Sequence, residues 1–99
     1  MKNYFFLKLN PNRATFAQDM TEEERGIMKQ HVIYWRGLMN KGHVVTFGPV
    51  LDPNETYGIA IVGVDGQEDV IEFIKHDPAA TINTYEFHPM MAIVPDTAS

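Results

Sequence analysis

The chain has 99 residues, of which 44% are hydrophobic and 21% are charged, a balance typical of one globular domain rather than of a disordered segment. The net charge is −5 and the basic residues form no cluster, which argues against nucleic acid as a partner. Cysteine is absent, so disulfides and thiol catalysis are excluded. The first apolar run stops at Lys8, too short for a signal peptide, and no run is long enough to span a membrane. We therefore expect a cytoplasmic protein with no membrane partner.

Apolar and aromatic residues from Tyr4 to Leu9 predict a buried first strand that ends before Pro11. Residues 10–20 show no periodicity and predict a long loop, a kind of segment that often forms a lid or a binding site. Arg13 in this loop is a candidate for clamping a ligand carboxylate with two parallel hydrogen bonds. A solvated arginine is the commoner alternative.

Thr21 predicts the start of a long helix, because Thr21 and Glu24 have the spacing of a capping box. We expect the helix to run to about Asn40, with Gly42 beyond its end. Projected at about 100° per residue, one face is apolar apart from a single histidine. Its members are Ile27, Met28, His31, Val32, Trp35, Leu38 and Met39.

Two further strands are predicted, from His43 to Val50 and from Gly58 to Val64. The second of them is almost continuously apolar, as a central strand is. Residues 52–55 between them have turn chemistry, with proline at the second position, so the two strands should form an antiparallel hairpin.

After a break at Gly66, a short helix is predicted to run to about His76. Alternating polar and apolar residues from Ile82 to Phe87 predict the last strand, which Pro89 should end or bend. Residues 95–99 have the composition of a frayed tail.

This order of elements, βαββαβ, predicts one α+β domain of the ferredoxin-like class over residues 1–99. Such a domain has a four-stranded antiparallel sheet with two helices on one face. Aromatic residues occur at both parities in Tyr4-Phe5-Phe6, so the other face should also be apolar. Since a small domain does not leave such a face in water, we predict a two-fold homodimer.

His31 is the first candidate for chemistry, because an imidazole titrates near neutral pH and is well suited to proton transfer. On the residues alone, a structural histidine bonded to a backbone carbonyl is the favoured explanation. Asp77 is the second candidate. Its structural alternative is also good, since Asp77 followed by Pro78 has the pattern of an N-cap before a new helical turn.

Three other residues are candidate ligand contacts. Gly48 and Pro49 allow close approach of the backbone to a ligand, although a bend in the strand is the commoner cause. Tyr34 has core or dimer packing as its alternative. The other histidines lack the spacing of a zinc site, and no phosphate loop, nucleophile elbow or haem motif is present. We therefore expect neither metal nor cofactor.

Six stretches that cover nearly the whole chain occur in a characteristic order: YFFLKL, MTEEERGIMKQHVIYWRGLMNKG, VVTFGPV, YGIAIV, HDPA and YEFHP. In this combination the sequence resembles the YCII-related (YciI-like) family. The resemblance implies a ferredoxin-like fold that forms dimers of the α+β-barrel type. It also implies an active-site pair in which His31 is the histidine and Asp77 the aspartate. It implies no particular substrate, although one type of member is a chloromuconolactone dehalogenase.

We expect an enzyme that acts on a small molecule, of lyase, isomerase or dehalogenase type, with His31 as general base or acid and Asp77 as its orienting partner. The main alternative is a non-catalytic module for metabolite binding or assembly, in which the two residues brace a cleft. A cofactor-free monooxygenase or muconolactone-isomerase-like barrel shares the architecture but fits the family resemblance less closely.

Overall fold

Four strands and intervening helices make up residues 2–96, the part of the chain that the computed structural model describes. This order confirms the predicted βαββαβ arrangement, with a short helix inside the expected loop and a one-turn 3₁₀ helix before the last strand as additions. In chain order the elements are β1 (Asn3–Asn10), α1 (Phe16–Asp19), α2 (Glu22–Asn40), β2 (Val44–Asp52), β3 (Glu55–Val64), α3 (Gln67–His76), the 3₁₀ helix (Pro78–Thr81) and β4 (Thr84–Met90).

The strands form one antiparallel sheet in the order β2-β3-β1-β4. Strand β1 lies between β3 and β4, with Phe5 opposite Val62 on one side and Pro89 on the other. Pro89 does not end β4, which continues to Met90. An edge strand tolerates proline because its missing N–H can face away from the single neighbouring strand.

The core lies between the sheet and the helices. Inward residues of β1 and β3 alternate with outward ones, as the two-residue period of a strand requires. Trp35 of α2 is 1% exposed and packs on this sheet face. Val70 does the same from α3. The buried members of the core are Phe5, Leu7, Trp35, Val44, Ala60, Val62, Val64 and Val70.

Helix α2 begins with the predicted capping box. The Thr21 hydroxyl accepts from the Glu24 N–H at 3.1 Å, and the Glu24 carboxylate accepts from the Thr21 N–H at 2.9 Å. The helix ends at Asn40, and Gly42 follows with a φ of +89°, a conformation that favours glycine. No helix within residues 2–96 is long and apolar enough to cross a membrane.

The second sheet face points away from the core and has apolar side chains at its centre. Phe6 of β1 lies opposite Ile61 of β3 on one side and His88 of β4 on the other. Met91 and Ile93, directly after β4, are 99% and 100% exposed. Pro95 and Asp96 are exposed and irregular, and the remainder of the tail predicted to fray lies outside the described residues.

Replacement of Thr21 by alanine should lower the free energy of unfolding by about 1 kcal/mol, because it leaves a helix N–H without its side-chain acceptor. The melting temperature should fall by about 4–8 °C. Thermal unfolding followed by circular dichroism measures this change. Thr84→Ala, at the exposed start of β4, is the control. An equal fall in melting temperature in both variants would show that the capping hydrogen bond does not stabilise the fold.

Candidate active site

Asp77 lies at the junction between α3 and the 3₁₀ helix. Its N–H donates to the Ile74 carbonyl at 3.2 Å at the end of α3. Its carboxylate accepts from the Ala79 N–H at 2.9 Å, and Pro78 occupies the first position of the 3₁₀ helix. The N-cap role proposed from the sequence is therefore present. With this cap in place, the Asp77 side chain lies in the protein interior below α2 and is 0% exposed.

Side chains from α2 and β4 also donate hydrogen bonds to this carboxylate. His31 Nδ1 lies 3.0 Å from Oδ1 and 2.9 Å from Oδ2. Trp35 Nε1 donates to Oδ2 at 2.8 Å, and the Tyr85 hydroxyl donates to the same oxygen at 2.5 Å. His31 and Trp35 are four residues apart, so both project from one face of α2. The carboxylate therefore joins α2, the 3₁₀ helix and β4.

The hydrogen bonds keep Asp77 ionised. Burial by itself raises the pKa of this carboxyl, but the donors His31, Trp35 and Tyr85 outweigh burial and hold the pKa below its ordinary value. Burial and the neighbouring Asp77 charge raise the pKa of Tyr85 far above its usual range, so Tyr85 stays a protonated donor. These shifts leave the carboxylate negative at neutral pH.

The ionised Asp77 determines which nitrogen of neutral His31 carries the proton. A carboxylate only accepts hydrogen bonds, so the proton lies on Nδ1 and Nε2 keeps its lone pair. Within residues 2–96, Nε2 receives no hydrogen bond from the protein. The His31 side chain is 14% exposed and lines a cleft. The contact with Asp77 thus holds the His31 ring in one orientation at the wall of that cleft.

The cleft has a volume of about 610 Å³, within the range of pockets that hold small molecules. It lies between α1, α2 and the β2–β3 hairpin, and its walls are mainly apolar, with Phe16, Met20 and Met28 among them. Val32 of the predicted apolar helix face is 47% exposed because it borders this cleft. The polar or charged lining side chains are His31, Arg36, Thr56, Tyr57, Asn83 and Tyr85.

The structure brings some of the predicted ligand contacts to the cleft. Gly48 and Pro49 of β2 line it together with His31. Tyr34 does not line it. Its hydroxyl donates to the Phe73 carbonyl at 2.7 Å, and its ring packs edge-on against Trp35. Tyr34 therefore ties α2 to α3, in line with the packing alternative.

Arg13 does not line the cleft either, and all its N–H groups are engaged within the protein. Nε and Nη2 donate to the Asp19 carboxylate and carbonyl at 2.8 and 2.9 Å. Nη1 and Nη2 donate to the Glu24 carboxylate at 2.9 and 2.8 Å, and Nη1 also donates to Asn12 at 2.9 Å. The hydrogen bond from Arg13 lowers the pKa of Glu24 to about 2. Because a guanidinium has five N–H donors, no donor remains for a ligand carboxylate. Arg13 instead fastens the α1 segment to the start of α2.

The sequence interpretation missed Trp35 and Tyr85 as partners of Asp77. Trp35 is predicted only as a member of the apolar face of α2, and Tyr85 only as an apolar position of the last strand, yet each side chain carries a hydrogen-bond donor. The spacing of Trp35 four residues after His31 was the available signal for a shared partner. Among the side chains of residues 2–96, no three His, Cys, Asp or Glu groups lie close enough together to hold a metal ion.

The YCII-related domain model matches residues 4–93, and the chain therefore belongs to the YCII-related family. A solved structure, 5-chloro-2-hydroxyhydroquinone dehydrochlorinase (TftG) from Burkholderia phenoliruptrix AC1100 in complex with 2,5-dihydroxybenzoquinone, is similar with a TM-score of 0.63 at 18% identity. The match covers 88% of this chain and 93% of that one, and it shows a shared fold. Protein SP2199 from Streptococcus pneumoniae matches with a TM-score of 0.43 at 12% identity, over 95% of this chain and 90% of that one. No curated protein matches the sequence.

Replacement of Asp77 by asparagine should lower the free energy of unfolding at pH 7 by about 2–4 kcal/mol, because an amide NH₂ would face buried donors. A group with a lowered folded-state pKa stabilises the fold above its ordinary value of about 3.9, and this stabilisation is lost as the pH falls through the folded-state pKa. The deficit of the variant should therefore shrink in acid. Urea unfolding at neutral and acidic pH measures both effects.

Asp96→Asn, at an exposed position of the tail, is the matched control and should unfold like the parent protein at every pH. A deficit of Asp77→Asn that stayed constant with pH would contradict an ionised, hydrogen-bonded carboxylate.

Proposed function

We propose that the protein is an enzyme that transfers a proton on a small molecule, with His31 as the base and Asp77 as its orienting partner. The observation that carries this proposal is the position of His31. Its Nδ1 is held by a buried ionised carboxylate, and its ring lines an apolar cleft of small-molecule size. This is the arrangement that general acid–base catalysis by histidine requires.

The proposed reaction begins when His31 Nε2 removes a proton from a carbon next to a carbonyl group or from a ring hydroxyl. When the proton comes from a carbon, the electron pair left behind shifts toward the carbonyl oxygen, and its return expels a leaving group from the neighbouring carbon or moves a double bond. When the proton comes from a ring hydroxyl, the oxygen's electron pair forms a C=O bond, and the displaced ring pair either expels a leaving group from a saturated ring carbon or takes up a proton at a ring carbon. The imidazolium formed at His31 is stabilised by the Asp77 charge, and it then gives the proton to the leaving group or to another carbon. Asp77 keeps its negative charge throughout, because its donors favour the ionised form.

The similar dehydrochlorinase suggests which substrates to test first. It is named for 5-chloro-2-hydroxyhydroquinone and was solved with 2,5-dihydroxybenzoquinone bound. Loss of hydrogen chloride needs a base and a path for the electron pair, which the proposed His31 chemistry provides. We therefore propose chlorinated, oxygen-bearing rings as the first substrate class to test.

The alternative, a binding module without catalysis, is supported by the contacts through which Asp77 stabilises the fold. Its contacts to Trp35, Tyr85 and Ala79 stabilise the fold whether or not His31 reacts. The role of His31 separates the two proposals, because the buried carboxylate would keep its remaining donors if His31 were changed.

Replacement of His31 by asparagine should reduce turnover at least about 100-fold in a folded protein, because general acid–base catalysis contributes about 10²–10⁴-fold. Wild-type protein is incubated in D₂O with 5-chloro-2-hydroxyhydroquinone and with cyclic ketones. Chloride release and deuterium incorporation, followed by ion-selective electrode and NMR, report proton abstraction. His76→Asn, an exposed histidine on α3, is the matched control and should keep full activity.

Equal turnover by wild type and His31→Asn would contradict the catalytic role. Saturable binding of these compounds without chloride release or exchange would favour the binding module instead.

We also propose that a second copy of the chain covers the outer sheet face. The support is the apolar centre of that face around Phe6 and Ile61, together with the exposed apolar Met91 and Ile93 at its edge. Self-association through one shared patch gives a closed two-fold dimer, which matches the dimer that the family resemblance implies.

Replacement of Ile61 by lysine should convert the dimer into a monomer, because it places a charge at the centre of the apolar face. Ile33→Lys is the matched control, since Ile33 is 64% exposed on α2. Light scattering coupled to size-exclusion chromatography measures the mass of each variant. A monomeric parent protein, or a folded Ile61→Lys variant that remains dimeric, would contradict this interface.

A further inference from the structure

We infer that the side-chain amide of Asn83 is the group that binds an oxygen atom of a ligand in the cleft. This role of Asn83 rests on the proposed function in one respect. The ligand oxygen that Asn83 binds is the one that receives the electron pair when His31 removes a proton. Asn83 does not belong to the His31–Asp77 pair, and no hydrogen bond links it to either residue.

The two ends of the Asn83 amide have different surroundings. Asn83 lies between the 3₁₀ helix and β4, is 6% exposed, and its backbone N–H donates to the Ala79 carbonyl at 2.9 Å. Its side-chain Oδ1 accepts from the Asn12 N–H at 3.0 Å. Only an oxygen can accept from this N–H, so the amide orientation is determined by its partner. Nδ2 must be the other end.

Nδ2 carries two N–H donors and has a poor partner within residues 2–96. Its contact is the thioether sulfur of Met28 at 3.8 Å, and a thioether is a weak acceptor. Buried amides are ordinarily satisfied by carbonyl or carboxylate oxygens, so this amide keeps unused donor capacity. Both Asn83 and Met28 line the cleft, which places that capacity at the surface a ligand would contact.

A structural role accounts for one end of the amide only. The bond from Asn12 to Oδ1 holds the segment before α1 against the start of β4, and a second bond, from the Asn12 side chain to the Ile82 carbonyl at 3.2 Å, does the same. Any side chain with an oxygen at this position would serve that purpose. The NH₂ end contributes nothing to it.

The position of the donor indicates the chemical class of the ligand. The cleft walls are mainly apolar, so a ligand that fits is a small ring compound with an apolar body and one accepting oxygen directed at the amide. A carbonyl, enolate or phenolate oxygen accepts such a bond, and a charged oxygen accepts it more strongly than a neutral one. An amide donor prearranged in this way therefore favours the state in which negative charge has moved onto that oxygen.

The test compares acetophenone with ethylbenzene, which has the same ring and a methylene in place of the carbonyl. Titrations of ¹⁵N-labelled wild-type protein measure both dissociation constants by NMR. We expect acetophenone to bind about fivefold more tightly, the worth of one net hydrogen bond. One Asn83 side-chain amide proton should shift downfield with acetophenone and stay in place with ethylbenzene.

Two variants sharpen the comparison. Asn83→Asp keeps an oxygen for the Asn12 N–H and removes the NH₂ donors, so it should abolish the preference for acetophenone. Met28→Leu conserves volume, removes the sulfur and should retain or increase the preference. If Asn83→Asp does not fold, the amide-proton shift in wild-type protein shows whether Asn83 donates to the carbonyl oxygen of acetophenone.

Equal affinities for the two compounds, failure of both to bind, or an unmoved Asn83 amide in the acetophenone complex would overturn the inference. The preference should survive in His31→Asn. If the protein prefers acetophenone to ethylbenzene but His31→Asn turns over substrate normally, the Asn83 site stands and the proposed catalysis is wrong. If the protein shows no such preference and His31→Asn is inactive, the proposed catalysis stands and the Asn83 site is wrong.

Discussion

The Asp77 carboxylate, which has no contact with solvent, holds together the part of the structure where α2, the 3₁₀ helix and β4 meet. A buried charge destabilises a fold unless donors replace the lost water. Here the donors come from His31, Trp35, Tyr85 and the Ala79 backbone, so each of these elements must be in place for the ion to be buried. The same bonds that secure the fold also orient His31. Stability and orientation therefore depend on one interaction and cannot be separated by changing Asp77 alone.

The cleft beside this carboxylate depends on a second, separate electrostatic contact. Arg13 binds Asp19 and Glu24 and so holds the α1 segment at the N-terminus of α2, where Phe16 becomes part of the cleft wall. Its partners lie outside the cleft and leave the cleft itself mostly apolar. In such surroundings the few polar groups, His31 and Asn83 among them, act on a ligand with little competition from water.

The sequence predicted the fold well because its strongest signals are local. The Thr21–Glu24 capping box and the apolar run of β3 need only neighbouring residues to be recognised. Asp77 was predicted both as an N-cap and as an active-site residue, and the structure shows the cap and the contact with His31 in the same side chain. The contacts of Arg13 and Tyr85 were not predictable in this way. The engagement of Arg13 depends on a short helix in a segment without periodicity, and the hydroxyl of Tyr85 meets Asp77 only once β4 is packed.

We propose that Asp77 keeps the proton of neutral His31 on Nδ1, which leaves Nε2 free to act as a base on a ligand in the cleft. Long-range ¹H–¹⁵N NMR of the imidazole rings, recorded at a pH where His31 is neutral, measures this directly. We expect a protonated, pyrrole-type Nδ1 and an unprotonated, pyridine-type Nε2 for His31. A proton on Nε2, or rapid exchange between the two tautomers, would contradict it.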